Sequence, residues 1–211
     1  MSPACVGHGL PSSLRRLAAP GLLFAGSLVA ACNAGSQSAE RTEGAETTAA
    51  SAQEQFLATL ASHCGEAFAG RITERPSDDE LFRGDERLIV HFRECSRDSL
   101  EIPFHVEENR SRTWLLARTD SGIDLRHDHR HEDGSSAEVT MYGGHTRVPG
   151  SAERQEFLRP ARDGVLTGWA IEIVPRERYT YGTIRDGEWR YRLDFDLTTP
   201  VTPPPPPWGH R

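Results

Sequence analysis

The chain has 211 residues, a formal net charge of −7 at neutral pH and 36% hydrophobic residues. This composition is too polar for a protein made mainly of membrane-spanning helices, and 26% charged residues exclude a collagen-like or low-complexity chain throughout. A nucleic-acid surface would have to act against the negative field of the whole molecule, so no nucleic-acid partner is predicted. The length allows one ordinary domain with terminal extensions.

Residues 1–31 have the pattern of an export signal. Arg15 and Arg16 are followed by an apolar stretch, residues 17–31, that is short for a membrane span. The run Leu28-Val29-Ala30-Ala31-Cys32 then resembles the lipobox of bacterial lipoproteins. The resemblance implies that Cys32 is acylated, becomes the first residue of the mature chain and attaches the protein to a membrane. An ordinary secretory signal followed by a chance cysteine is the alternative.

The residue after Cys32 indicates which membrane of the cell envelope would hold the protein. An aspartate there would indicate retention in the inner membrane of a Gram-negative cell, but the chain has Asn33. We therefore predict an exported lipoprotein of the cell envelope, on the outer membrane and facing the periplasm if the cell is Gram-negative.

Two terminal segments flank the predicted domain. Residues 32–53 consist mostly of small and polar residues, which cannot bury enough surface to fold and predict a flexible tether. Residues 198–211 contain the five consecutive prolines 203–207 and predict an extended polyproline tail. The tail is a candidate ligand for a protein partner; a spacer, or a strap lying on its own domain, is the alternative.

Residues 54–197 remain for the folded domain. Phe56, Leu60 and Cys64 have helical spacing and predict a short N-terminal helix. Apolar and polar residues then alternate in several segments, as in half-buried strands: 88–92, 100–106, 139–141, 169–173 and 189–197. Turn-forming residues separate such segments: 83–85, 120–122, 133–135, 143–144 and 186–187. The pattern predicts an all-β antiparallel meander of about eight to ten strands. A small lipocalin-like barrel is preferred, and a sandwich is the alternative.

Two cysteines, Cys64 and Cys95, lie within this predicted domain. In an oxidising envelope they should form a disulfide that closes a loop of 30 intervening residues. Such a loop closure contributes roughly 3 to 4 kcal/mol. A pair of metal-binding thiolates is the alternative, although the CxxC spacing of most such sites is absent.

The segment 122–133 carries three histidines at alternate positions. One face of the predicted strand is formed by Ile123, Leu125, His127, His129 and His131, and the other by charged residues, including Asp128, that should face solvent. Because the first face begins with apolar residues, its histidines should continue from the core toward an end of the sheet. They predict a ligand site for a small molecule at a barrel mouth. Arg110 and Arg112 with Trp114 are candidates for holding an anionic ligand, and a hairpin loop with an aromatic anchor is the alternative.

Metal binding is an alternative use of the same face. His127, His129 and His131 could ligate a divalent ion such as zinc. The run HDHRH is similar to the HxHxDH signature of metallo-β-lactamase-like hydrolases and to the first cupin motif. It lacks the aspartate of the former, however, and no second cupin motif follows. Ordinary hydrogen-bonded polar residues at a strand end are the third interpretation.

Several blocks together resemble a family of uncharacterised secreted bacterial proteins, many of them lipoproteins. The blocks are HCGEAFAG at 63–70, IPFHV at 102–106, RSRTWLL at 110–116, HDHRHEDG at 127–134 and VTMYGG at 139–144. The resemblance covers most of residues 63–197 and implies an envelope location and a shared domain, without an activity. Glu107 stands where the family leads us to expect glycine.

These observations favour a lipid-anchored envelope domain that binds a ligand near its histidines, with no catalytic residue predicted. A periplasmic metal-dependent enzyme, in which Glu132 or Asp133 assists a metal-bound water, is the first alternative. An envelope interaction protein that uses the Pro-rich tail is the second.

Overall fold

The structure, a computed structural model, describes residues 50–79 and 82–210. The predicted signal segment, the anchor residue Cys32 and most of the tether lie outside the described residues. Helix α1 (Ala52–Ala61) begins two residues before the predicted domain boundary. Ser51 caps it: the Ser51 hydroxyl accepts from the backbone N–H of Glu54, whose carboxylate accepts from the backbone N–H of Ser51. Within the described ranges, no helix has the length and apolar character needed to cross a membrane.

The described residues after the helix form eleven strands. In chain order they are β1 (Ala67–Glu74), β2 (Leu88–His91), β3 (Glu94–Cys95), β4 (Ser99–Val106), β5 (Asn109–Thr119), β6 (Gly122–His129), β7 (Tyr142–His145), β8 (Arg154–Leu158), β9 (Thr167–Val174), β10 (Arg178–Arg185) and β11 (Glu188–Val201).

The strands close into an antiparallel barrel. Successive strands from β4 to β11 are neighbours, β11 pairs with β1, and β2 pairs with both β1 and β4. Strand β3 pairs with β4 beyond the end of β2, so ten strands make up the closed ring. Closure leaves the ring without an unpaired edge. The predicted antiparallel barrel is therefore confirmed, and the sandwich alternative is wrong.

Helix α1 closes one end of the barrel. Phe56, Leu57 and Leu60 are buried in the same core as the inward residues of the strands. The helix is held over this end by Arg118, near the end of β5, which donates to the Glu54 carboxylate at 2.9 Å. We call this the closed end of the barrel and the opposite end its mouth.

The predicted disulfide is confirmed. Cys64 and Cys95 are bonded, with a Cα–Cα distance of 6.0 Å. The bond ties the segment after α1 to β3, so the helix is fixed covalently to the barrel wall.

One predicted strand and one predicted turn are wrong. Residues 139–141 lie in the loop before β7 rather than in a strand, and the side chains of Val139 and Met141 are 69% and 50% exposed. Gly143 and Gly144, predicted as a turn, lie inside β7. A Cβ on Gly143 would stand 1.8 Å from the Leu125 carbonyl oxygen. Glycine is needed here because the neighbouring backbone approaches closely, not because the chain turns.

The C-terminal residues lie on the outside of the barrel. Strand β11 extends to Val201, four residues past the predicted domain end. Residues 202–210, which we call the strap, then cross the outer surface. The Arg110 guanidinium donates to the Pro206 carbonyl at 3.0 Å, and the backbone N–H of Trp208 donates to the Arg110 carbonyl at 3.1 Å.

The strap changes the environment of outward-facing side chains on the strands beneath it. His105 and the strap residues Pro204 and Pro205 line one small cavity, and His210 lies 3.7 Å from the Asp128 carboxylate. His105 and Asp128 are consequently only 3% and 5% exposed. The expectation that Asp128 faces solvent is wrong, because the alternation of a strand does not show what covers its outer face.

Candidate ligand-binding site at the barrel mouth

The strand register brings the predicted site residues of β5 and β6 together. Arg112 lies opposite His129, and Trp114 lies opposite His127. His127 in turn lies opposite Tyr142 of β7. Side chains that are directly opposite in neighbouring strands are within contact distance, so these five form a continuous patch on the inner wall.

This patch lines a cavity of about 170 Å³ near the mouth. Most of the other lining residues are aromatic: Phe82, Phe104, Trp169, Tyr181 and Tyr191. An engineered apolar cavity of about 150 Å³ holds one benzene molecule, so the space at the mouth matches a single ring. It is smaller than the roughly 300–1,000 Å³ of drug-sized sites.

His127 is held rigidly at the inner end of the cavity. Its Nδ1 donates to the Tyr142 carbonyl at 3.1 Å, because a carbonyl oxygen can only accept. Its Nε2 therefore accepts from the Tyr181 hydroxyl at 2.5 Å. The imidazole also stacks on the Tyr142 ring, with 4.7 Å between centroids. Burial lowers the pKa of His127 to about 4, so the ring is neutral at neutral pH.

His129 lies nearer the opening. Its Nε2 is 3.1 Å from the Tyr142 hydroxyl, within hydrogen-bonding distance. Burial lowers the pKa of His129, and the positive Arg112 guanidinium lowers it further. Both histidines thus favour the uncharged form.

His131 does not join the other two histidines. Strand β6 ends at His129, and the following residues form a turn in which the His131 N–H donates to the Ser135 carbonyl. The His131 side chain is 49% exposed, with its Nε2 3.6 Å from Glu138. Glu132 and Asp133 are exposed in the same turn.

The three histidines therefore do not come together as the alternative metal-binding interpretation requires. His131 has left the inner face that His127 and His129 share. Among the residues that the structure describes, no group of three or more His, Cys, Asp or Glu side chains is placed to hold a metal ion. Both ring nitrogens of His127 are also used in hydrogen bonds to protein groups.

Two polar groups of the cavity have no partner in the described part of the chain. The Arg112 guanidinium faces the cavity without a hydrogen bond or ion pair to any described residue. Burial lowers its pKa, as expected for a cation held partly out of water. On the opposite wall, the Thr183 hydroxyl oxygen is buried and also unpaired. Both groups remain able to bind a ligand.

The sequence interpretation missed the aromatic walls. Trp169 and Tyr181 come from β9 and β10, about 40 to 70 residues beyond Arg112 and His127 in the chain. Tyr179, Tyr181 and Thr183 alternate along β10, and this alternation indicates that their side chains share one face of the strand. Nothing in that alternation indicates which layer of the barrel each side chain occupies.

Comparison with protein-family models, curated proteins and solved structures finds no match to this chain. The chemistry of the cavity is therefore the basis for a functional proposal.

Proposed function

We propose that this protein is a non-enzymatic binding protein of the bacterial cell envelope that holds a small ring-containing molecule at the barrel mouth. The observation that carries the proposal is the aromatic cavity of about 170 Å³ with the buried, unpaired Thr183 hydroxyl in its wall. An unsatisfied buried polar group costs about 1 to 3 kcal/mol, and a ligand that bonds to it would recover that free energy. The envelope location rests on the lipobox-like run that ends at Cys32 and agrees with the Cys64–Cys95 disulfide.

Binding is favoured over metal-dependent catalysis by the positions of the candidate residues. His131 lies away from the cavity, and Glu132 and Asp133, the proposed helpers of a metal-bound water, are exposed in the same turn. The tail-mediated interaction is also less favoured, because Pro206 and Trp208 already bond to Arg110 of the same chain.

The test is a binding screen by ligand-observed NMR with four single-ring molecules: phenol, benzamide, benzoate and benzamidine. We expect at least one to bind the purified domain. The variant Thr183→Phe should abolish binding, because the added ring fills the cavity. Val148→Phe is the matched control: it adds the same ring on an exposed loop outside the cavity and should leave binding intact.

Absence of binding by all four molecules would refute the proposal. Equal binding to the wild type and to Thr183→Phe would also refute it, since the molecules would then bind elsewhere.

A further inference from the structure

We infer that the ligand is a small organic anion whose negative group pairs with Arg112 while its ring lies among the aromatic side chains of the cavity. This inference rests on the proposed binding function and specifies the chemical class of its ligand.

The charged side chain that lines the cavity is a cation, although the molecule as a whole is negative. The chain has 31 acidic and 24 basic residues. Yet no Asp or Glu is among the described residues that line the cavity, and Arg112 supplies a full positive charge. Its neighbours His127 and His129 favour the neutral form. They therefore neither attract nor repel the negative charge of a ligand.

Three other partly buried arginines of the described chain each pair with a carboxylate. Arg130 binds Asp128 at 2.8 Å, Arg154 binds Glu156 at 2.8 Å, and Arg192 binds Asp194 at 3.0 Å. Arg112 faces the cavity at the barrel mouth without such a carboxylate in the described part of the chain. Since a cation held partly out of water is costly without a counter-charge, we expect the ligand to supply the carboxylate.

A second guanidinium stands beside the cavity. Arg159 lies over the Trp169 ring, with its Cζ 4.3 Å from the ring centroid, and no described acidic residue pairs with it. Its positive charge attracts an anion toward the opening and opposes the entry of a cation. Arg112 can then bind a carboxylate with two parallel hydrogen bonds, which fixes the ligand's orientation as well as its charge.

The experiment compares three ring compounds of nearly equal shape and different charge. Benzoate, benzamide and benzamidine carry one negative charge, no charge and one positive charge, and their affinities are measured by calorimetry at low salt. We expect benzoate to bind at least about tenfold more tightly than benzamide, since a hydrogen bond to a charged group adds more than 1.4 kcal/mol. Benzamidine should bind most weakly.

Variants assign this preference to Arg112. Arg112→Gln should reduce the ratio of benzoate to benzamide affinity to about one, while Arg112→Lys should retain part of it because the charge remains. His131→Gln, whose side chain lies outside the cavity, is the control and should keep the wild-type ratio. The urea midpoint of Arg112→Gln should not fall, because no described residue pairs with Arg112.

The outcomes separate this inference from the proposed function. Equal affinity for benzoate and benzamide, or a ratio that survives in Arg112→Gln, overturns the anion inference but leaves ligand binding intact. A lower urea midpoint in Arg112→Gln also counts against it, because the arginine would then have a structural partner. If none of the three compounds binds and phenol fails as well, the proposed binding function itself is overturned.

Discussion

Two histidines are buried on opposite faces of the barrel wall. His127 faces the cavity and His105 lies under the strap, and each is 3% exposed. Burial lowers the pKa of both to about 4. In the unfolded chain a histidine titrates near 6.5, so between these values the unfolded state binds more protons than the folded state. The free energy of unfolding must therefore decrease as the pH falls from about 6.5 to about 4.

This linkage gives a prediction for His127. Between pH 7 and pH 4.5, each of these histidines should cost the wild type about 2 to 3 kcal/mol of stability. In His127→Gln the decrease should be smaller by about that amount, as measured by urea denaturation at both pH values. His131→Gln changes an exposed histidine and should show the wild-type decrease. An unchanged decrease in His127→Gln would mean that this ring is accessible to protons in the folded state.

At the scale of elements, the strap supports the strands that build the cavity. It lies against the outer face of the sheet at Arg110 of β5 and Asp128 of β6, while Arg112 and His127 of the same strands line the cavity inside. A proline-rich segment suits this role because its unfolded state has few conformations to lose. The strap should therefore stabilise the fold through its buried residues.

Two prolines of the strap provide a matched test. Pro207 is buried and Pro203 is exposed. Replacing either proline by alanine increases the conformational freedom of the unfolded chain, but only the replacement at Pro207 also removes packing from the folded protein. We expect Pro207→Ala to destabilise the protein by about 1 to 2 kcal/mol more than Pro203→Ala, since two buried carbon atoms are lost. Urea midpoints of the two variants measure the difference. Equal midpoints would show that the contact at Pro207 contributes nothing.

Sequence periodicity predicts the elements that bury one face. It does not predict features that depend on contacts with residues far away in the sequence. It predicts β4 and β11 because their apolar residues alternate with polar ones. It does not predict β7, because the close backbone approach there requires Gly143 and Gly144, which otherwise favour turns. The inward direction of His127 and His129 could be predicted from the apolar start of β6. The exit of the chain before His131, and the covering of Asp128 by the strap, could not.

At the scale of the whole molecule, the two ends of the barrel differ. The chain enters at the closed end, where Ser51 caps α1, and the cavity lies near the mouth. The described part of the chain therefore begins at the end of the barrel opposite the cavity.

The anchor itself is tested by two cysteine substitutions in a bacterial host. In the wild type we expect the mature chain to begin at Cys32, to carry the added mass of acyl chains and to fractionate with membranes. Several acyl chains, at about 0.8 kcal/mol per buried methylene, suffice for stable attachment. Cys32→Ser should lose the acyl mass and leave the membrane fraction. Cys5→Ser, which alters the segment predicted to be removed, should match the wild type in both measurements. An unmodified mass for the wild-type chain, or membrane attachment that persists in Cys32→Ser, would contradict the lipoprotein prediction and leave the barrel's ligand-binding test unaffected.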